Sequence, residues 1–214
     1  MKSKYVIFDL DDTLTYEIDY LKSAYKEIAI ILDEDNKDRL YSEMIGLYEN
    51  GKDIFEIVTR RYTSHSKIDL LSFYHHHKPS IKLSEEAREI LNFCREKEYK
   101  LGLITDGRSI TQRNKLKSLG IEEEFDKIII SEEFGSSKPD ERNFKEFVEN
   151  GITEYFYIAD NPKKDFLVPN KLGWKSICLI DRGNNIHLQD FNLPEEYLPC
   201  CYIRCLREIL PLLN

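Results

Sequence analysis

The sequence predicts an α/β protein: a doubly wound parallel, Rossmann-like sheet with a small helical domain inserted after its first strand. Three observations carry that prediction. From residue 84 onward, short apolar runs rich in Ile and Leu alternate with helical stretches, the pattern of βα units around a buried parallel sheet. Polar clusters stand immediately after those runs, where open α/β sheets hold their ligands. The segment between the first and second runs has helical periodicity over residues 15–79, longer than one crossover requires.

A chain of 214 residues accommodates one core domain and an insertion. The expected division is 1–14 with 80–214 as the α/β core and 15–79 as the helical domain. Lys and Arg number 31 against 39 Asp and Glu, a net charge of −8. No basic run or aromatic-basic interleaving appears, which argues against nucleic acid as a partner. An anionic ligand must then be held by local positive charge rather than by the field of the whole protein.

No apolar run approaches the length of a membrane span, and no apolar segment precedes Tyr5, so no membrane association is expected. The five cysteines, Cys94, Cys178, Cys200, Cys201 and Cys205, are an odd count without paired metal-ligand spacing. Reduced thiols in a cytoplasmic, soluble protein are the expectation. Cys200, Cys201 and Cys205 cluster, but lack a second ligand pair for a metal site.

Near the start of the sequence, Tyr5-Val6-Ile7-Phe8 are four apolar residues read as a strand buried on both faces. Asp9, Asp11 and Asp12 follow within four positions. Carboxylates this close resist ionising together unless a cation sits among them, and a hard divalent ion such as Mg²⁺ takes oxygen ligands of this kind. The same residues also suit a plainer use, a turn in which Asp12 or Thr13 caps the next helix.

Four helices are expected in the insertion. Ile18, Leu21, Tyr25, Ile28, Ile31 and Leu32 recur at helical spacing, as do Leu40, Met44, Leu47 and Tyr48, then Ile54, Ile57, Val58 and Tyr62, then residues 68–74. Asn50-Gly51 punctuates the second and third. His75, His76 and His77, ahead of Pro79, read as a solvated linker; alternatively, one histidine faces the cleft and titrates near neutrality.

Ser84 caps a helix whose buried face is Ala87, Ile90, Leu91 and Cys94. Residues 101–104 form a strand ending in Thr105-Asp106-Gly107, and a helix over 110–119 closes at Gly120. Arg108 and Gln112 lie near that loop, where they either contact substrate or sit on a solvated helix face, the second being the preferred reading. Residues 128–130 are a third strand, with Ser137-Lys138-Pro139 beyond it, and 143–148 are helical. Residues 156–159 form a fourth strand, ending at Asp160-Asn161-Pro162-Lys163-Lys164-Asp165. A helix over 163–172 is kinked or shortened by Pro169, and 176–180 complete a fifth strand. A polar loop at 184–187, a short strand at 201–203 and an amphipathic helix from Leu206 to Leu213 finish the chain.

Asp9-Leu10-Asp11-Asp12-Thr13, Thr105-Asp106-Gly107, Ser137-Lys138-Pro139 and Asp160 to Asp165 resemble, in order, the four signature motifs of the haloacid-dehalogenase-like hydrolase superfamily. The resemblance covers roughly residues 4 to 183, and its strength lies in the set. The insertion is similar to that superfamily's first type of cap.

The resemblance implies a phosphomonoester hydrolase acting on a small phosphorylated metabolite. Asp9 is the implied nucleophile, forming an aspartyl-phosphate, and Asp11 the acid and base. Mg²⁺ would be held by Asp9, the Asp11 main-chain carbonyl and Asp160, with Asp165 supporting the ion through water or orienting Lys138. Thr105, the amides of Asp106 and Gly107, and Lys138 would hold phosphate oxygens. Ala159 stands where the fourth motif commonly has Gly or Asp. Asp11 itself favours phosphoryl chemistry, since the superfamily's dehalogenases lack that second acid. A phosphomutase or phosphotransferase is the enzymatic alternative, and a non-catalytic phosphate-binding module the alternative of another class.

Overall fold

The computed structural model describes residues 3–213. Six strands, β1 (Lys4–Phe8), β2 (Lys100–Thr105), β3 (Lys127–Ile130), β4 (Glu154–Ala159), β5 (Lys175–Leu179) and β6 (Cys201–Ile203), make one sheet in the order β3-β2-β1-β4-β5-β6. Every pairing is parallel. The protein is therefore α/β, with a doubly wound, Rossmann-like sheet.

The chain runs outward from β1 through β2 to β3, then returns to lay β4 against the other side of β1. That reversal opens a crevice at the carboxyl ends of β1 and β4. Register fixes the heights: Phe8 lies opposite both Leu103 and Ile158, so the segments following β1, β2 and β4 emerge together.

Tyr5 to Phe8 of β1 are apolar without alternation because both faces of the strand are covered. Val6 and Phe8 join one core cluster with Ala87, Ile90 and Leu91, while Tyr5 and Ile7 join another with Phe144, Phe147 and Trp174. Gly102 in β2 has a specific reason to be glycine. A Cβ there would lie 2.5 Å from the Phe147 ring, so the close approach excludes any side chain.

Between β1 and β2 lie α1 (Glu17–Leu32), α2 (Lys37–Glu49), α3 (Ile54–Arg61) and α4 (Lys67–His76). They share a cluster of their own, centred on Tyr25, Ile28, Leu40, Met44, Val58 and Leu70. Two of the starts are capped by side chains: Asp53 accepts from the Glu56 amide, and Ser66 and Asp69 form a capping box. Helix α5 (Glu85–Glu96) follows, capped by Ser84, and α6 (Ser109–Leu119) ends at Gly120 with φ 66°.

Three helical expectations are corrected. A short helix, α7 (Ser131–Phe134), follows β3 directly, and α8 (Glu141–Lys145) replaces the helix expected at 143–148. Asp140 accepts from the Arg142 amide and starts α8 early, while i to i+3 bonds at Phe147 and Val148 tighten its end into turns. The expected helix over 163–172 is split into α9 (Pro162–Asp165) and α10 (Leu167–Lys171). The break falls near Phe166, one turn before Pro169, because a proline offers no N–H to the carbonyl four residues back and clashes with it. The terminal segment Leu206–Leu212 is a 3₁₀ helix containing Pro211; Leu206 and Ile209 are buried, matching the three-residue period.

Candidate active site

Asp9 is the first residue past β1 and is almost fully buried. Its amide donates to the Ile158 carbonyl at 2.9 Å, extending the β1–β4 ladder by one step. Its Oδ1 accepts from the Leu10 amide at 2.8 Å and meets Lys138 Nζ at 2.9 Å.

Lys138 reaches this point from the segment after β3 because its own amide is tied to Asp106 Oδ1 at 3.1 Å. Its Nζ lies 2.7 Å from Asp165 Oδ1 and donates to the Tyr157 hydroxyl at 3.2 Å. Burial alone would push this ammonium down, but the carboxylates of Asp165 and Asp9 hold it well above the ordinary lysine value. A single buried cation thus ties three motif segments together.

Asp160, just past β4, supplies the next carboxylate. One oxygen each from Asp9, Asp160 and Asp165 lie within 4.8 Å of one another. Burial, then the charges of Asp9 and Asp165, raise Asp160 to about 8. Burial also raises Asp9 to about 6, with Lys138 opposing and Asp165 adding to the rise. The Lys138 ammonium offsets only part of the negative charge of three carboxylates, and their all-oxygen donor set fits a divalent metal ion. Asp165 is the most committed of the three: Oδ1 takes Lys138 and the Tyr157 hydroxyl, and Oδ2 the Asn161 amide.

The Asp11 carboxylate stands outside that group. Oδ1 meets Lys115 Nζ at 2.6 Å and Oδ2 accepts from Gln112 Nε2 at 2.9 Å. The metal contact expected of Asp11 concerns its main-chain carbonyl, not these oxygens. Thr105, at the end of β2, is buried, and its Oγ1 accepts from the same Gln112 amide at 2.6 Å. Asp106 sends its carboxylate to the Lys138 amide and to Lys164 Nζ, 3.6 Å away. Gly107 is exposed, and its amide already donates to Ser131 Oγ at 2.9 Å.

Asp12 does serve as a cap, from a distance. Its backbone is left-handed, φ 56°, a conformation Asp tolerates better than most residues. Oδ1 accepts from the Glu17 amide at the start of α1 and Oδ2 from the Ile186 amide. Asp12 thereby ties the helical unit and the loop after β5 to the end of β1.

Several residues at the site escaped the sequence reading. Gln112, for which a solvated face was the preferred expectation, is buried against the 105–107 loop. Lys115 was not singled out, although its i+3 spacing from Gln112 puts both on one helix face. Asn185 donates to Asp160 Oδ2 and Gln189 to the Asp160 carbonyl; the only signal was the polar character of that loop. Glu17 and His187 line the mouth beside Lys164, and burial with the Asp11 charge raises Glu17 to about 7.

The histidine segment is not simply solvated. His77 is buried against Ser23 and Glu27, His75 is half-buried and His76 exposed. Their carbonyls accept from Thr111 and Asn114 of α6, which holds the linker to the core. All five cysteines are free, and the carboxylate group is the one candidate metal cluster among the described residues.

A family model for haloacid dehalogenase-like hydrolase matches residues 6–179. The chain belongs to that family. A glyceraldehyde 3-phosphate phosphatase of Methanocaldococcus jannaschii is 30% identical, over 87% of this chain and 89% of that protein. One of the same name from Methanopyrus kandleri is 29% identical, over 91% and 95%. A haloacid dehalogenase-family phosphatase from Thermococcus onnurineus has the same fold, with a TM-score of 0.61, 21% identity and 100% and 98% of the two chains covered. Within this family of hydrolases, the chain is an enzyme of the phosphatase type. No helix among the described residues is long and apolar enough to cross a membrane.

Proposed function

We propose that this phosphatase is a Mg²⁺-dependent phosphomonoester hydrolase that takes the phosphoryl group of a small phosphorylated metabolite onto Asp9 and passes it to water. The observation that carries the reading is the buried Asp9 carboxylate held 2.9 Å from Lys138 Nζ, with Asp160 and Asp165 beside it. Asp9 and Asp160 would hold the ion with carboxylate oxygens, together with the Asp11 main-chain carbonyl. Asp165, already engaged with Lys138 and Tyr157, would support the set from behind. When bound, Mg²⁺ neutralises phosphate charge and acts as a Lewis acid.

The protein's own groups then divide the work. An Asp9 oxygen attacks phosphorus, forming the aspartyl-phosphate bond as the ester P–O bond breaks, and Asp11 gives its proton to the departing alcohol oxygen. Asp11 next takes a proton from water as that water attacks phosphorus, releasing phosphate and restoring Asp9. Lys138 and the Thr105 hydroxyl hold the phosphoryl oxygens in their changing geometry. Residues 15–79 act as a cap that excludes bulk water and macromolecular esters. Free thiols support the cytoplasm as the working compartment.

Glyceraldehyde 3-phosphate is the first substrate to try, because the whole-length relatives above carry that specificity in their names. The test is phosphate release from a panel of phosphorylated trioses, sugars and acids, with Mg²⁺ or with EDTA, for wild type and Asp9→Asn. Release that needs both Mg²⁺ and Asp9 supports the reading. Release that survives Asp9→Asn, or that requires a bisphosphate activator and a sugar acceptor, overturns it.

A further inference from the structure

Helix α6 buries the side chains that a helix usually exposes. Thr111, Gln112, Asn114 and Lys115 are all buried, while Ile110 is 40% exposed. Polar groups removed from water require partners. Thr111 and Asn114 find theirs in the linker carbonyls, whereas Gln112 Nε2 and Lys115 Nζ find theirs in Asp11.

Each oxygen of Asp11 is fixed by a different residue of α6, Lys115 Nζ on Oδ1 at 2.6 Å and Gln112 Nε2 on Oδ2 at 2.9 Å. The Lys115 ammonium also lies 4.8 Å from the centre of the Tyr20 ring in α1, within reach of a cation–π contact. Its side chain is therefore held on two sides, by the helical unit and by Asp11. Gln112 continues to Thr105 Oγ1 and the Asp106 carbonyl, so the same amide sets the acid and the phosphate loop relative to each other.

We propose that Lys115, assisted by Gln112, is the positioning residue of Asp11, an assignment that rests on Asp11 being the proton donor to the leaving alcohol. Proton transfer demands a carboxyl group aimed at the ester oxygen, and a free aspartate side chain samples several rotamers. Lys115 and Gln112 fix the plane of the carboxyl group. The ammonium also stabilises the negative charge that Asp11 keeps once its proton has gone to the alcohol, and no other cation contacts that carboxylate among the described residues. Lys115 acts through Asp11 and forms no bond with the phosphoryl group.

The prediction is selective for the leaving group. An alkyl phosphate needs a proton at its departing oxygen, whereas p-nitrophenyl phosphate releases a stabilised phenolate without one. The quantity to read is kcat/KM, which covers the steps through expulsion of the leaving group and omits hydrolysis of the aspartyl-phosphate. For Lys115→Met, kcat/KM for the best alkyl substrate is expected to fall by about 10²-fold and that for p-nitrophenyl phosphate by less than about 5-fold. Lys115→Arg should restore part of the alkyl activity. Should Lys115→Met fail to fold, Lys115→Gln, which keeps a polar side chain but no charge, reads the same contrast.

Equal loss on both substrates, or a fall in thermal stability with unchanged kcat/KM, overturns the assignment. Asp11→Asn is the control that separates the two levels. If it shows the leaving-group contrast and Lys115→Met does not, the positioning role falls while the role of Asp11 stands. If neither variant shows it, the acid role of Asp11 falls and takes the proposal with it.

Discussion

Lys138 Nζ lies 2.7 Å from Asp165 Oδ1, and both side chains are completely withdrawn from solvent. A buried ion pair is costly to assemble and more costly to leave half-made. Here the same ammonium also meets Asp9, so one cation sets the geometry of two carboxylates.

Lys138→Met should therefore act on stability and chemistry together. Removing one partner of a buried pair typically costs about 3–5 kcal/mol, and under the proposed mechanism the loss of a charge aimed at the transferring group costs about 10²–10³-fold in kcat. Urea unfolding and steady-state kinetics check the two effects. An intact kcat in a destabilised protein would show that Lys138 serves the fold alone.

The carboxylate cluster makes stability without metal depend on pH in a defined direction. Asp160 is raised to about 8 and Asp9 to about 6, against about 3.9 for an unfolded aspartate. The folded state then binds more protons than the unfolded one, so this stability is present below pH about 4 and is lost as the pH rises through 8. Each such proton contributes a slope of up to about 1.4 kcal/mol per pH unit. With EDTA present, the Tm of wild type relative to Asp160→Asn should fall between pH 4 and 8. Mg²⁺ binding should tighten over the same window, since the ion must displace those protons. A pH-independent difference between the two proteins would refute the linkage.

Asp12 holds the Glu17 and Ile186 amides from a left-handed backbone. Asp12→Ala loses both bonds and keeps a β-carbon in an unfavourable conformation, so a loss of about 1–2 kcal/mol is expected. Asp12→Asn keeps one acceptor and tolerates the backbone, and should cost less. Urea midpoints of the two variants distinguish capping from charge: equal losses would mean that the negative charge, not the hydrogen bonds, matters.

Gly102→Ala would drive a methyl group to 2.5 Å from the Phe147 ring. Overpacking of this kind costs about 1–3 kcal/mol. Pairing it with Phe147→Leu should give a combined loss smaller than the sum of the single losses, because the smaller side chain vacates the space. Strict additivity in the unfolding free energies would place the strain elsewhere.

The sequence by itself determined where the strands fall along the chain: apolar runs with carboxylates, a threonine and a lysine after them. Those signals are local, since a strand buried on both faces must be apolar and its end must be polar. The same holds for most of α1 to α4, whose stripes include the buried Leu21, Tyr25, Ile28, Leu40, Met44 and Val58, although Ile31 and Ile68 are exposed and the buried Phe55 falls outside the expected stripe. Short pieces such as α7 and the terminal 3₁₀ segment lie below the length at which periodicity can speak.

Only the tertiary structure decided what the polar residues do. Lys115 and Asp11 are 104 positions apart and Asn185 and Asp160 are 25 apart, and nothing in a hydrophobic pattern links them. A buried polar side chain is stable only when a distant partner satisfies it, so Gln112 and Lys115 read as surface until β1 and α6 are brought together. Asp9 could be read from the end of its strand. What holds Asp11 could be read only from the fold.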